Sequence, residues 1–135
     1  MKFKTLAGRY VELKNAGKYR INWAKDSRSQ FQTSVKKFLY PYWKHDIVFE
    51  ELRMVGTRLT FDFYNANKNV AIEVQGGQHI KFVKFFHKNR AKYLDQLKRD
   101  DKKYRFCEVN GITLVEVYPD DIVSKDLFHS FGVTL

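Results

Sequence analysis

Two acids stand inside stretches that otherwise read as apolar strands. Asp62 lies in RLTFDFY, and Glu73 lies eleven positions on, in AIEVQ. Gly76, Gly77, Gln78 and His79 crowd the end of the second stretch. Side chains alternate along a strand. Asp62 therefore shares a face with Thr60 and Tyr64, and Phe61 and Phe63 go to the other. Glu73 shares a face with Ala71 and Gln75, and Ile72 and Val74 go opposite. On adjacent strands, Asp62, Glu73 and Gln75 converge on one patch. Two carboxylates that close repel each other, and burial makes this worse. A divalent cation between them removes both penalties, and hard oxygen ligands suit Mg²⁺ or Mn²⁺. The competing reading is a pair of solvated carboxylates on an exposed strand face. Two acids on consecutive strands, followed by Gly-Gly-Gln-His, favour the site.

A long helix adds a third acid. Tyr93, Leu97, Tyr104 and Cys107 form a stripe at spacings of four, seven and three, and Asp100 lies within it. An acid on a core-facing stripe is unfavourable unless paired. His79, His87 and Arg58 are its candidate partners. Asp100 is either a structural tether or the group that orients His79 beside the metal. His79 itself could be a ligand, a general acid or a polar loop residue. The glycines before it allow a backbone or a phosphate to come close. Cys107 reads as a core residue.

The elements that position these residues follow from pattern. RYVELK and KYRINW predict two short strands around NAGK. Ser27 and Gln30 in SRSQ match a capping box, opening a helix through FQTSVKKFLY that Pro41 ends. IVFEELRMV and RLTFDFY form a hairpin around Gly56-Thr57, and VAIEVQ is a third strand. GGQHIKFVKFFHKN is a long aromatic loop. The long helix spans about residues 90–109 and ends at Asn110-Gly111. ITLVEVY is the closing strand, stopped by Pro119, and the tail has room for one short helix. From Ser27 the order is αβββαβ, an α/β domain with a mixed central sheet.

The chain has 135 residues, 44% hydrophobic and 16% aromatic, enough for one domain with a real core. The expected division is an N-terminal β extension (1–26), a core (27–118) and a C-terminal tail (119–135). A single cysteine excludes an internal disulfide and points to a reducing cytoplasm. No apolar run reaches the length of a bilayer span, and no membrane is expected. The net charge is +10, which suggests a polyanionic partner. Residues 1–45 carry eleven basic and two acidic groups, and residues 79–118 carry ten and five. Between them, residues 46–78 carry three basic and five acidic groups. A slightly acidic centre thus sits between basic flanks.

The run EELRMVGTRLTFDFYNANKNVAIEVQGGQH resembles the PD-(D/E)XK nuclease superfamily. So does KFFHKNR together with LKRDDKKYRFCEVNGITLVEV. The likeness covers about residues 27–118 and is nearest to the branch of the very-short-patch repair, phage and homing endonucleases. It implies a restriction-endonuclease-like core. Asp62 and Glu73 take the places of the two motif acids and would bind Mg²⁺, with the Val74 carbonyl as a further ligand and Glu51 as an accessory acid. Asp100 and His79 match the additional Asp and His of this branch. Gln75 stands where the superfamily's lysine would be, and homing-type relatives also show glutamine there. Gln30 and Gln32 stand where many relatives carry a glutamate.

The expected activity is metal-dependent hydrolysis of DNA phosphodiesters by a phage or mobile-element type of endonuclease, in the host cytoplasm. Gln75 would orient the water. His79, held by Asp100, would protonate the leaving oxygen. Lys36, Lys37, Lys81, Lys84, Lys88, Arg90 and Lys92 would hold flanking phosphates. A monomer would suit a nickase, and a homodimer a branched-DNA or Holliday-junction resolvase. The alternative from another class is a non-catalytic DNA-binding module on the same scaffold.

Overall fold

In the computed structural model, residues 1–76 and 90–135 are described, without the side chains of residues 90–98 and 100. Six strands are described: β1 (Lys2–Lys4), β2 (Tyr10–Glu12), β3 (Val48–Arg53), β4 (Thr60–Asn65), β5 (Val70–Val74) and β6 (Thr113–Val117). The helices are α1 (Gln30–Trp43), α2 (Arg90–Asn110) and α3 (Lys125–Ser130). Strands β3-β4-β5-β6 form one mixed sheet in that order, antiparallel except for the β5–β6 pair. A parallel pair needs a long crossover, and α2 lies within it. The chain is thus a mixed α/β fold, with the hairpin and third strand where the sequence pattern puts them.

Ser29, not Ser27, caps α1: its hydroxyl accepts the Gln32 N–H at 3.0 Å. Ser27 is drawn away because its hydroxyl donates to Glu50 on β3. Pro41 does not end the helix, which runs two residues further to the fully buried Trp43. A proline in the last turn removes one hydrogen bond. The Lys44 N–H still reaches the Tyr40 carbonyl at 3.0 Å. The expected pairing of RYVELK with KYRINW is also replaced. Strand β2 pairs with β1, residues Ala16–Tyr19 form a 3₁₀ turn, and Arg20 makes a single bridge to Phe49.

Two apolar clusters cover the two faces of the sheet. Val35, Leu39 and Trp43 of α1 pack on Phe63, Ile72, Val115 and Val117. Phe106 and Cys107 of α2 pack with Phe49, Phe61, Tyr64 and Ala71, and Phe3 of β1 joins them. Phe61 and Phe63 therefore do not share a face. Strict alternation fails near Glu51, which sits opposite Asp62 in the β3–β4 register and has a left-handed φ of 56°. A non-glycine residue there marks local strain beside the acids.

Lys36 corrects a second expectation. It is not a phosphate contact. It is 2% exposed, and its Nζ donates to Glu50 at 2.8 Å and to the Lys25 carbonyl at 2.7 Å. On the helix it falls next to Val35, within the stripe that meets the sheet. Breaking a buried pair leaves a charge without its partner. Lys36→Ala is expected to cost roughly 3 kcal/mol of stability in urea unfolding, while Lys37→Ala, on the exposed face, changes stability little. Equal stabilities for the two variants would contradict this placement.

Candidate functional site

Asp62 in the middle of β4 and Glu73 near the end of β5 lie in one row of the sheet. The β4–β5 ladder ends at the Phe63–Ile72 pair, and Asp62 and Glu73 are the next residues of the two strands. The row extends on both sides. The β3–β4 register sets Glu51 opposite Asp62, and the parallel ladder pairs Glu73 with Glu116. Each of the four neighbouring strands thus contributes one acid. Asp62 is 2% exposed and Glu73 4%. The competing picture of solvated carboxylates on an open strand face does not hold for either.

The two strands part at this row. Beyond the Phe63–Ile72 pair, Asp62 Oδ2 accepts the Val74 N–H at 2.7 Å, in place of a strand carbonyl. Its other oxygen accepts from Arg28 Nη2 at 3.0 Å. The same guanidinium brings Nε to 3.4 Å from Glu51 Oε1. Gln32 Nε2 from α1 donates to both Glu50 and Glu51, at 3.0 and 3.1 Å. On the other side, Lys103 of α2 places Nζ 2.5 Å from Glu73 Oε1. Glu73 is thus held between this ammonium and the Asp62 carboxylate beside it.

The electrostatics follow from burial. The Glu73 carboxyl is pushed up to about 9, first by desolvation and then by the Asp62 charge, with Lys103 pulling it back. A carboxyl held so high shows that the one ammonium of Lys103 does not offset its burial and the Asp62 charge. The Cys107 thiol is pushed up to about 12, by burial first and by Glu73 next. A nucleophilic cysteine needs the opposite shift, so Cys107 is a core residue.

No family model matches the chain, and no solved structure matches it. Curated proteins do. The chain is 35% identical over 80 residues to "Uncharacterized protein 033L" of Invertebrate iridescent virus 3, covering 59% of this chain and 41% of that protein. It is 41% identical over 59 residues to "Uncharacterized protein 307L" of Invertebrate iridescent virus 6, covering 44% and 30%. It is also 41% identical over 63 residues to "Uncharacterized protein 094L" of Frog virus 3 (isolate Goorha), covering 46% and 41%. The matched part spans less than half the length of each relative.

The remaining expected site residues divide clearly. Gln75 does not touch Asp62 or Glu73 in a hydrogen bond. Its Nε2 donates to Glu116 at 3.3 Å, and Glu116 also accepts from the Tyr118 hydroxyl at 3.1 Å. Val74 meets the site through its N–H. Glu51 is tied to Arg28 and Gln32. Among the described residues no group of three or more His, Cys, Asp or Glu comes together closely enough to hold a metal ion. Lys37 is exposed. His79, Lys81, Lys84 and Lys88 lie outside the described residues, as do the side chains of Arg90, Lys92 and Asp100. The stripe expected around Asp100 is rotated in its second half. Tyr104 is 60% exposed, and Phe106 and Cys107 face the sheet. Among the described residues no helix is long and apolar enough to cross a membrane.

Three residues at the site were not anticipated: Arg28, Lys103 and Glu116. Glu116 carries the same signal as Glu73, an acid within an apolar strand, ITLVEVY. Lys103 lies four before Cys107, on its side of the helix. Arg28 carries no signal in the sequence, because its loop gains meaning only from the β4 acid it reaches.

Proposed function

We propose that the chain is a divalent-cation-dependent DNA endonuclease of the PD-(D/E)XK kind, built on a restriction-endonuclease-like core. The observation that carries this reading is the buried Asp62–Glu73 carboxyl pair on adjacent strands of the sheet. Two carboxylates suit Mg²⁺, which keeps several waters and takes one or two protein carboxylates. The residues present therefore fit a cation, with Asp62 and Glu73 as its holders. A bound Mg²⁺ or Mn²⁺ would supply Lewis acidity toward the phosphate and a lower pKa for water.

The chain's own groups divide the remaining work. Lys103 Nζ, beside Glu73, supplies the positive charge that Gln75 cannot, and its three donors can hold the attacking water at the edge of the acids. Water oxygen bonds to phosphorus and gives up a proton to solvent, the bond from phosphorus to the 3′-oxygen breaks, and the leaving oxygen takes up a proton. His79, oriented by Asp100, is proposed to deliver it. Gln75, engaged with Glu116, supports the strand end. Gln75→Ala is expected to slow cleavage less than about tenfold, whereas Lys103→Ala slows it by roughly a hundredfold or more. The reverse order in single-turnover rates would return the water-positioning role to Gln75.

A specific observation favours a second reading, a DNA-binding module without catalysis. Arg28 and Lys103 already neutralise the acid pair, and among the described residues no three carboxylates gather. One experiment separates the two. Supercoiled, linear and branched DNA are incubated with Mg²⁺, Mn²⁺ or a chelator. Metal-dependent nicks support the endonuclease. Retention of DNA without any cleavage supports the module.

A further inference from the structure

The segment from the 3₁₀ turn to α1 lies along β3, the edge strand of the sheet. Arg20 bridges Phe49, and the Ile21 N–H donates to the Val48 carbonyl at 3.0 Å. This fixes the backbone on one side of an open groove of about 580 Å³, lined by Lys18, Arg20, Lys25 and Arg28, together with Glu50 and Glu51. A second groove, of about 430 Å³, shares the Asp26–Arg28 loop with the first and adds Lys37.

The charges in this groove are not balanced within it. Glu50 is neutralised by the buried Lys36, and Glu51 is engaged by Arg28 and Gln32. Asp26 is the remaining acid of the lining. Lys18, Arg20 and Lys25 are exposed and form no ion pair among the described residues. Lys18 lies over the Tyr19 ring, 5.1 Å from its centre. Arg28 stands where the two grooves meet. It reaches Asp62 with one nitrogen, yet its side chain is 66% exposed. A guanidinium has five donors in a fixed fork, so others remain for an anion.

We infer that this groove carries the sugar-phosphate backbone of a DNA strand toward Asp62, with Arg28 as the phosphate clamp at its inner end. The inference rests on the nuclease reading for what the strand is brought to. A row of outward cations leading to a buried acid pair fits a repeating anion. Long open grooves with spaced positive charge bind phosphates without reading bases. Arg28 resolves the conflict between a polyanion and the acids, because it can touch both at once. Three of its cations, Lys18, Arg20 and Lys25, precede residue 27 in the chain.

The test is fluorescence anisotropy of a short labelled DNA duplex across a salt series, with Mn²⁺-induced thermal shifts measured alongside. The variants are K18Q/R20Q/K25Q, R28Q and the control K68Q, at the opposite end of β4 and β5. The triple variant is expected to bind at least about tenfold more weakly at low salt. Its salt slope should fall by roughly two to three, with the Mn²⁺ shift unchanged. R28Q is expected to weaken DNA binding but strengthen Mn²⁺ binding, because a competing cation leaves Asp62. K68Q keeps the wild-type slope. A wild-type slope in the triple variant, with DNA still bound and cut by the wild type, overturns the groove and leaves the nuclease standing. Unchanged DNA affinity in R28Q overturns the clamp. A wild-type protein that neither binds nor cuts DNA removes the nuclease reading and the groove with it.

Discussion

Asp62→Asn and Glu73→Gln are each expected to lower DNA cleavage by roughly a thousandfold or more, with DNA binding unchanged or slightly tighter. Each removes one of the two charges that would hold the cation. Neither adds bulk. Asparagine matters at position 62, because the Asp62 carboxylate also accepts the Val74 N–H and an Arg28 donor. Asp62→Ala would orphan a buried amide, at about 1–3 kcal/mol, and mix a folding defect with a catalytic one. The amide oxygen of asparagine keeps that bond. Binding survives because the cations that meet phosphate lie elsewhere, and loss of a carboxylate removes repulsion. Cleavage rates and anisotropy on the same preparations check both halves. Full activity in either variant would sink the assignment of the acid pair.

The metal-free protein should show the second large effect in its stability. The Glu73 carboxyl is raised to about 9 in the fold from an ordinary 4.5. Below about 4.5 it is protonated whether the chain is folded or not, and it contributes no pH dependence. Between the two values the unfolded chain releases a proton that the folded chain keeps. Stability therefore falls as pH rises through this window, by up to ~1.4 kcal/mol per unit, and levels off above about 9. Glu73→Gln has no proton to release, so its slope should vanish there. At pH 8 in chelator the variant is expected to be at least about 1 kcal/mol more stable, a rise of roughly 3–5 °C in melting temperature. The gap should close toward pH 4.5. Added Mn²⁺ should raise the melting temperature of the wild type and leave the variant nearly unmoved, since a ligand stabilises only the state it binds. Parallel pH curves for the two proteins would show that Glu73 is not strained in the fold.

Strand content and order beyond Ser27 were legible because they rest on local chemistry. The aromatic and β-branched content of RLTFDFY and VAIEV, the turn formers between them and the Asn110-Gly111 stop each act within a few residues. They place Asp62 and Glu73 on neighbouring strands. The boundaries of α1 were less legible. Ser27 and Ser29 are equivalent caps in isolation, and only Glu50, arriving from β3, takes one of them away.

What the sequence determined by itself was therefore the set of acids and the elements that bring them side by side. Period-two patterning and turn propensity belong to each segment alone. The tertiary structure decided which charges meet. It turned Lys36 inward onto Glu50, set Arg28 on Asp62 and Lys103 on Glu73, and extended the acid row to Glu116. These contacts join residues from 14 to 43 positions apart across different segments. Coulomb attraction acts through space and desolvation depends on the packed surroundings, so no local pattern encodes either.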